Sequence, residues 1–123
     1  MSQIEVRRLN TPDEKAILVA EDAAGRELGR VMILPAGAPH RAEIAGLWVE
    51  PDARGRGVGA LLLRFAEGQA VVMDRSVVLA GVPAAAETLL RRGGWSEAGV
   101  VPDFGLAGED ELYPARLFWK VLA

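Results

Sequence analysis

Between Leu47 and Glu67 the chain reads LWVEPDARGRGVGALLLRFAE. An apolar strand-like run meets a proline, then glycines at 55, 57 and 59 with Arg54 and Arg56 among them, then a leucine-rich stretch. A strand that passes through glycines into a helix leaves the first backbone N–H groups of that helix without intrahelical partners. Those donors, reinforced by the aligned peptide dipoles, suit an anion. Glycines let such a group approach the main chain without meeting a Cβ atom. Arg54 and Arg56 add positive charge at the rim. The expectation is a diphosphate cradle built from the amides of Arg56 to Ala60.

Known phosphate cradles differ in what surrounds the glycines. A P-loop ends in Gly-Lys-Ser/Thr, which is absent here. The dinucleotide fingerprint is matched formally by Gly55-x-Gly57-x-x-Ala60. It should open the first βα unit and be followed by an acidic residue at the end of the next strand, where this chain has LAGVP.

The elements around the cradle follow from periodicity. IEVRRL (Ile4–Leu9) alternates as a strand does, NTPDEK supplies turn chemistry, and AILVAEDAAGRELGRVMILP reads as a hairpin around Gly25 that Pro35 ends. AEIAGLWVE is a further strand, ended by Pro51. From Gly57 the period changes to about 3.6 and places Val58, Leu61, Leu62, Phe65 and Ala66 on one helical face. RSVVLAGV is continuously apolar, as suits a strand covered on both faces. Pro83 then starts a helix through AAAETLLRR, which Gly93 and Gly94 stop. WSEAGVV and ARLFWKVL are the last strands, with PDFGLAGEDELYP as the loop between them. The order is four strands, a helix, a strand, a helix and two strands. This is an α/β (α+β) arrangement: a mixed, mostly antiparallel sheet of about seven strands with helices packed on it, in one domain over residues 1–123.

Composition narrows the chemistry. With 123 residues, 50% of them apolar, the chain can build one continuous core. The net charge of −3 provides no basic field for nucleic acid. The absence of cysteine excludes thiolate nucleophiles, and the single histidine, His40, excludes a multi-histidine metal centre. No apolar run is long enough to span a bilayer. A soluble cytoplasmic protein is expected, with neither nucleic acid nor membrane as a partner and with no metal.

Arg54-Gly55-Arg56-Gly57-Val58-Gly59, directly after a strand, resembles the acetyl-CoA signature Gln/Arg-x-x-Gly-x-Gly/Ala of the GNAT superfamily of N-acetyltransferases. The wider phrase LWVEPDARGRGVGALLL is similar too, VPAAAETLLRRGGW looks like the family's second helix with Trp95 for its closing Phe, and YPARLFWKVL resembles its last strand. The likeness covers about Ala42 to Ala123. It implies the family fold and acetyl-CoA as co-substrate. Leu47, Trp48 and Val49 would lie along the pantetheine arm, with backbone groups of Leu47 and Val49 pairing to it. Arg54, Gly55, Arg56, Gly57, Val58, Gly59 and Ala60 would hold the phosphates.

Acetyl transfer to an amine needs a base for the amine proton and a donor for the departing thiolate. Glu43 stands where some family members carry a catalytic glutamate. The usual family tyrosine is Leu90 here, the frequent asparagine is Pro83, and the chain's one tyrosine, Tyr113, is the remaining acid candidate. Glu109, Asp110 and Glu111, with Asp103, form an acidic run that could attract a cationic amine or be only a solvated face. The family usually sets one or two helices between its first two strands, for which only Asn10–Lys15 is available, so an acceptor side open or completed by a partner subunit is expected. Direct attack of a small-molecule amine or a protein N-terminus on the thioester, in a ternary complex, is the implied reaction. The alternative is a catalytically degenerate acyl-CoA-binding or dimerising module. A homodimer is expected, with the alternating final strand pairing between copies.

Overall fold

A computed structural model describes residues 3–11, 15–107 and 109–122. Four strands come first: β1 (Glu5–Leu9), β2 (Ala16–Glu21), β3 (Glu27–Pro35) and β4 (Arg41–Val49). A 3-10 turn (Pro51–Ala53) leads into helix α1 (Val58–Val72), then β5 (Val77–Val82), a second 3-10 turn (Ala84–Ala86), helix α2 (Glu87–Arg92), β6 (Ser96–Ala107) and β7 (Glu111–Val121). The seven strands form one sheet in the order β1-β2-β3-β4-β5-β7-β6. Only β4 and β5 run parallel. The expected order and type of elements are those found. Pro12 to Glu14, within the expected turn, lie outside the described residues.

The core lies on one face of this sheet. Alternate strand positions, Leu18 and Ala20, Val31 and Ile33, Ala42 and Ile44, Val78 and Ala80, are buried together with Val58, Leu62, Leu63, Ala66 and Ala70 of α1 and Leu90 of α2. A large aliphatic side chain such as Leu62, fully withdrawn from water, contributes about 1.5–3 kcal/mol. Both helices cover the same face. The opposite face carries no helix among the described residues, and there Val19 is buried between its cross-strand neighbours Arg7 and Arg30, whose ion pairs with Glu21 and Glu27 hold their stems beside it.

Four expectations need correction. The buried face of α1 is rotated from the one expected: Leu63 and Ala70 are inside and Phe65 is 48% exposed, because Leu63 turns toward the second helix, where its Cδ2 approaches Gly93. The helix after Pro83 is a 3-10 turn followed by six α-helical residues rather than one continuous helix. The PDFGLAGEDELYP segment is largely strand. Its breakers are absorbed by a register shift between Val101 and Gly105, with Asp103 at φ 53, and Pro114 falls beyond the last β5 pair, Val82↔Arg116, where β7 has a free edge. Finally, β7 is paired on both sides over Arg116–Trp119, to β5 and β6, so that stretch of the final strand has no edge left for pairing across a dimer; the outer strands of the sheet are β1 and β6. No helix among the described residues is long and apolar enough to cross a membrane.

Candidate functional site

The parallel ladder between β4 and β5 is short: Arg41↔Val77, Ala42↔Val78, Glu43↔Leu79, and then it stops. Beyond it β4 is bent at Gly46, which has φ 63 and sits where the β3–β4 register shifts. From residue 44 onward the β5-facing edge of β4 has no strand against it. Unpaired strand edges are open templates for an extended ligand. A cavity of about 1020 Å³ fills the opening, lined by Leu47, Trp48 and Val49, by the glycine segment and α1, and by Pro83, Ala85, Ala86 and Leu89 beyond the end of β5. Leu47 and Val49 pack toward the helix-covered core. Trp48, alternate to them and 48% exposed, faces the other way, so the cavity passes through the sheet where the strands part.

The glycines serve two different physical ends. Gly55 and Gly57 have φ 79 and 81, and a Cβ at either would meet nothing within 4 Å, so conformation demands them. Gly59 is demanded by space: its Cβ would lie 3.2 Å from Leu89 Cδ2 and 3.7 Å from Val49 Cγ2. No side chain caps α1, and its first turn closes with the Leu61 N–H donating to the Gly57 carbonyl at 3.0 Å. The amides of Val58, Gly59 and Ala60 therefore have no partner within the helix, and all three residues line the cavity. That donor set, at the positive end of a 15-residue helix, fits a phosphate or diphosphate.

Of the ten residues expected to hold the donor, nine line the cavity, and Arg56 does not. Its charge acts instead on Asp52, whose carboxyl is held below its ordinary value first by the hydrogen bond from Arg26, at 2.7 Å, and to a lesser degree by Arg56. Arg54 is fixed at the mouth. Its Nε donates to the Val49 carbonyl at 3.0 Å and its guanidinium lies 4.8 Å from the Trp48 ring centroid, a cation–π contact.

Sequence reasoning missed the far wall. Arg64, Glu67, Arg92 and Lys120 also line the cavity. Lys120 Nζ pairs with Glu67 Oε1 at 2.7 Å and donates to the Gly93 carbonyl at 2.8 Å. Glu67 Oε2 accepts the buried Trp95 indole N–H at 3.2 Å, so the tryptophan at the family's phenylalanine position finds the acceptor its N–H requires. Arg64 and Arg92 make no ion pair among the described residues, and with Glu67 engaged by Lys120 the wall is net positive. One available signal was the single cation, Lys120, in the otherwise apolar FWKVL. Outside the cavity, Arg91 and Arg116 each bridge Glu87 and Glu97, at 2.7–3.1 Å, tying α2 to β6 and β7.

The proposed acid–base residues stand apart from this wall. Glu43 is half-buried on the helix-free face, at the last β4–β5 pair, between Leu34 of β3 and Leu79 of β5. Tyr113 is on β7 opposite Gly105, past the end of β5 and also on the helix-free face. Neither lines the cavity. Leu90, at the family's tyrosine position, is 1% exposed in the core and does no chemistry. His40 is exposed, and its carbonyl accepts the Ser76 and Val77 N–H groups.

A parallel pair of strands parts over a glycine-led helix, leaving an opening that suits an extended ligand ending in phosphate. The family model of the GNAT acetyltransferase domain matches residues 13–97. The chain belongs to the GNAT acetyltransferase family. A search of curated proteins gave no match. Among solved structures, the IAA acetyltransferase of Bacillus cereus aligns with a TM-score of 0.82 at 17% identity, over 98% of this chain and 100% of that one. The ribosomal-protein-alanine N-acetyltransferase of Brucella melitensis aligns with a TM-score of 0.74 at 28% identity, over 88% and 69%. The phosphinothricin acetyltransferase of Sinorhizobium meliloti, solved with AcCoA, aligns with a TM-score of 0.73 at 20% identity, over 88% and 61%.

Proposed function

We propose that this chain moves an acetyl group from acetyl-CoA to a primary amine by direct attack in a ternary complex. The observation that carries the reading is the break in the β4–β5 ladder after Glu43↔Leu79, opening into a cavity that ends on the free amides of Val58 to Ala60. The exposed edge of β4 at Leu47 and Val49 suits the amide-bearing pantetheine arm, and the amides at the start of α1 suit the diphosphate. Arg64 and Arg92 suit a further phosphate farther along the cavity.

In the reaction the amine nitrogen forms a bond to the thioester carbonyl carbon and the carbon–sulfur bond breaks. Glu43, directly or through one water, takes the amine proton; Tyr113, the acid candidate from the sequence, is six residues along β7 from the Trp119 that shares a row with Glu43, roughly 20 Å of extended strand away, so water supplies the proton of the thiolate. A thiolate leaves readily, so loss of the acid slows transfer without abolishing it. Binding of both substrates before transfer predicts intersecting initial-rate lines; a burst of free CoA in the absence of amine would contradict direct attack. The burial of Leu90 where the family places its acid supports a second reading, an acyl-CoA-binding module without activity. Retained acetyl-CoA affinity with no transfer to any amine distinguishes it. A homodimer of this chain would use the outer strands β1 or β6 or a sheet or helix face rather than Arg116–Trp119, which is paired on both sides.

A further inference from the structure

We infer that the acceptor is a primary amine with a single positive charge on an aromatic or branched apolar body, which lies across the helix-free face with its nitrogen at Glu43. This rests on the acetyl-donor reading and names the substrate class of the same site. The cross-strand row through the point where β4 and β5 part is Leu34, Glu43, Leu79 and Trp119. Directly opposed residues on a sheet face stand about 5 Å apart, so Glu43 is one carboxylate flanked by leucines on both sides, with the 40% exposed Trp119 indole just beyond. One row further on, Phe104, 42% exposed, folds back so that its ring sits where a Cβ on Gly81 would be. Trp48, which lines the donor cavity, stands on the same face, five residues along β4 from Glu43.

Charge selects the number of cationic groups. Glu21 and Glu27 on this face are already paired with Arg7 and Arg30, while Glu43 makes no ion pair among the described residues. Arg41, two residues earlier, turns its guanidinium toward the loop at Gly37. The hairpin-tip carboxylates are remote: Glu111 is eight residues along β7 from Trp119, roughly 26 Å of extended strand, and Asp103 lies about halfway. A short polyamine gains no second carboxylate and would set a desolvated cation against the apolar patch. An aromatic monoamine satisfies Glu43 and buries its ring.

The experiment follows CoA release with phenethylamine and with spermidine as acceptors, alongside calorimetry with acetyl-CoA alone. Phenethylamine is expected to exceed spermidine in kcat/KM by about tenfold or more, the value of one well-buried apolar group. Trp119→Ala and Phe104→Ala should each raise the phenethylamine KM by about fivefold with the acetyl-CoA Kd unchanged; two variants are used because Phe104 also packs on Gly81. Equal or better use of spermidine, no transfer to phenethylamine from a protein that binds acetyl-CoA, or an unmoved KM in both variants overturns the acceptor assignment. Absence of acetyl-CoA binding instead overturns the donor reading, and the acceptor assignment with it.

Discussion

Lys120 Nζ lies 2.7 Å from Glu67 Oε1, joining β7 to α1 across the far wall of the cavity, with the same ammonium on the Gly93 carbonyl and the same carboxylate on the Trp95 indole. Three segments of the chain, α1, β7 and the connection from α2 to β6, meet in this cluster, so the width between α1 and α2 depends on it. Glu67 is 14% exposed and Lys120 28%, so removing one partner strands a charge that is mostly out of water. Lys120→Ala is expected to cost about 1–3 kcal/mol, read by urea denaturation. The double variant Lys120→Met, Glu67→Gln should recover part of that loss, because no isolated charge remains.

The positive wall makes a separate prediction about phosphate. Arg64 and Arg92 line the cavity without ion-pair partners among the described residues. Arg92→Ala should weaken CoA by about tenfold, the worth of one charge-assisted hydrogen bond, and weaken dephospho-CoA less. Equal losses for the two ligands would mean that Arg92 meets the diphosphate or nothing.

Acid should loosen the attachment of α2. The Glu97 carboxyl is held below its ordinary value of 4.5, first by the hydrogen bond from Arg91, with Arg116 adding to it. The unfolded chain then binds more protons than the folded one near that pH, so stability rises with pH there. The contribution is present above the ordinary value and is lost as pH falls through the lower folded one. A melting series from about pH 6 to about pH 3 should fall more shallowly in Arg91→Met, Arg116→Met than in the wild type at low salt. Parallel curves would show that the four-charge cluster adds no pH dependence.

Substitution tests the proposed roles of Glu43 and Tyr113 separately. Tyr113→Phe is expected to lower kcat by less than about tenfold, and Glu43→Gln by about 10²-fold, within the usual range for a positioned general base. Both should leave the acetyl-CoA Kd unchanged, since neither lines the cavity.

The glycine-led start of α1 was legible in the sequence because its determinants are local. Gly55 and Gly57 announce backbone that only glycine adopts readily, and the switch in hydrophobic period at Val58 marks the helix they introduce. The far wall was not legible, because Glu67, Arg92 and Lys120 are brought together by the packing of α1, α2 and β7, which no local spacing encodes. The β6–β7 hairpin was misread for a related reason: Pro102, Gly105 and Pro114 signal breaks, and pairing between strands overrides them through a bulge and a free edge. On α1, periodicity identified an apolar stripe, but whether Leu61 and Phe65 or Leu63 and Ala70 flank it depends on where the second helix lies.

The most direct test of the central claim is calorimetric titration of the purified protein with acetyl-CoA and CoA, repeated with Gly57→Glu and Arg54→Ala. The account predicts a Kd on the order of micromolar, abolished in Gly57→Glu and weakened in Arg54→Ala, with both variants still folded by circular dichroism. No binding by the wild type would mean that the opening between β4 and β5 does not receive the donor.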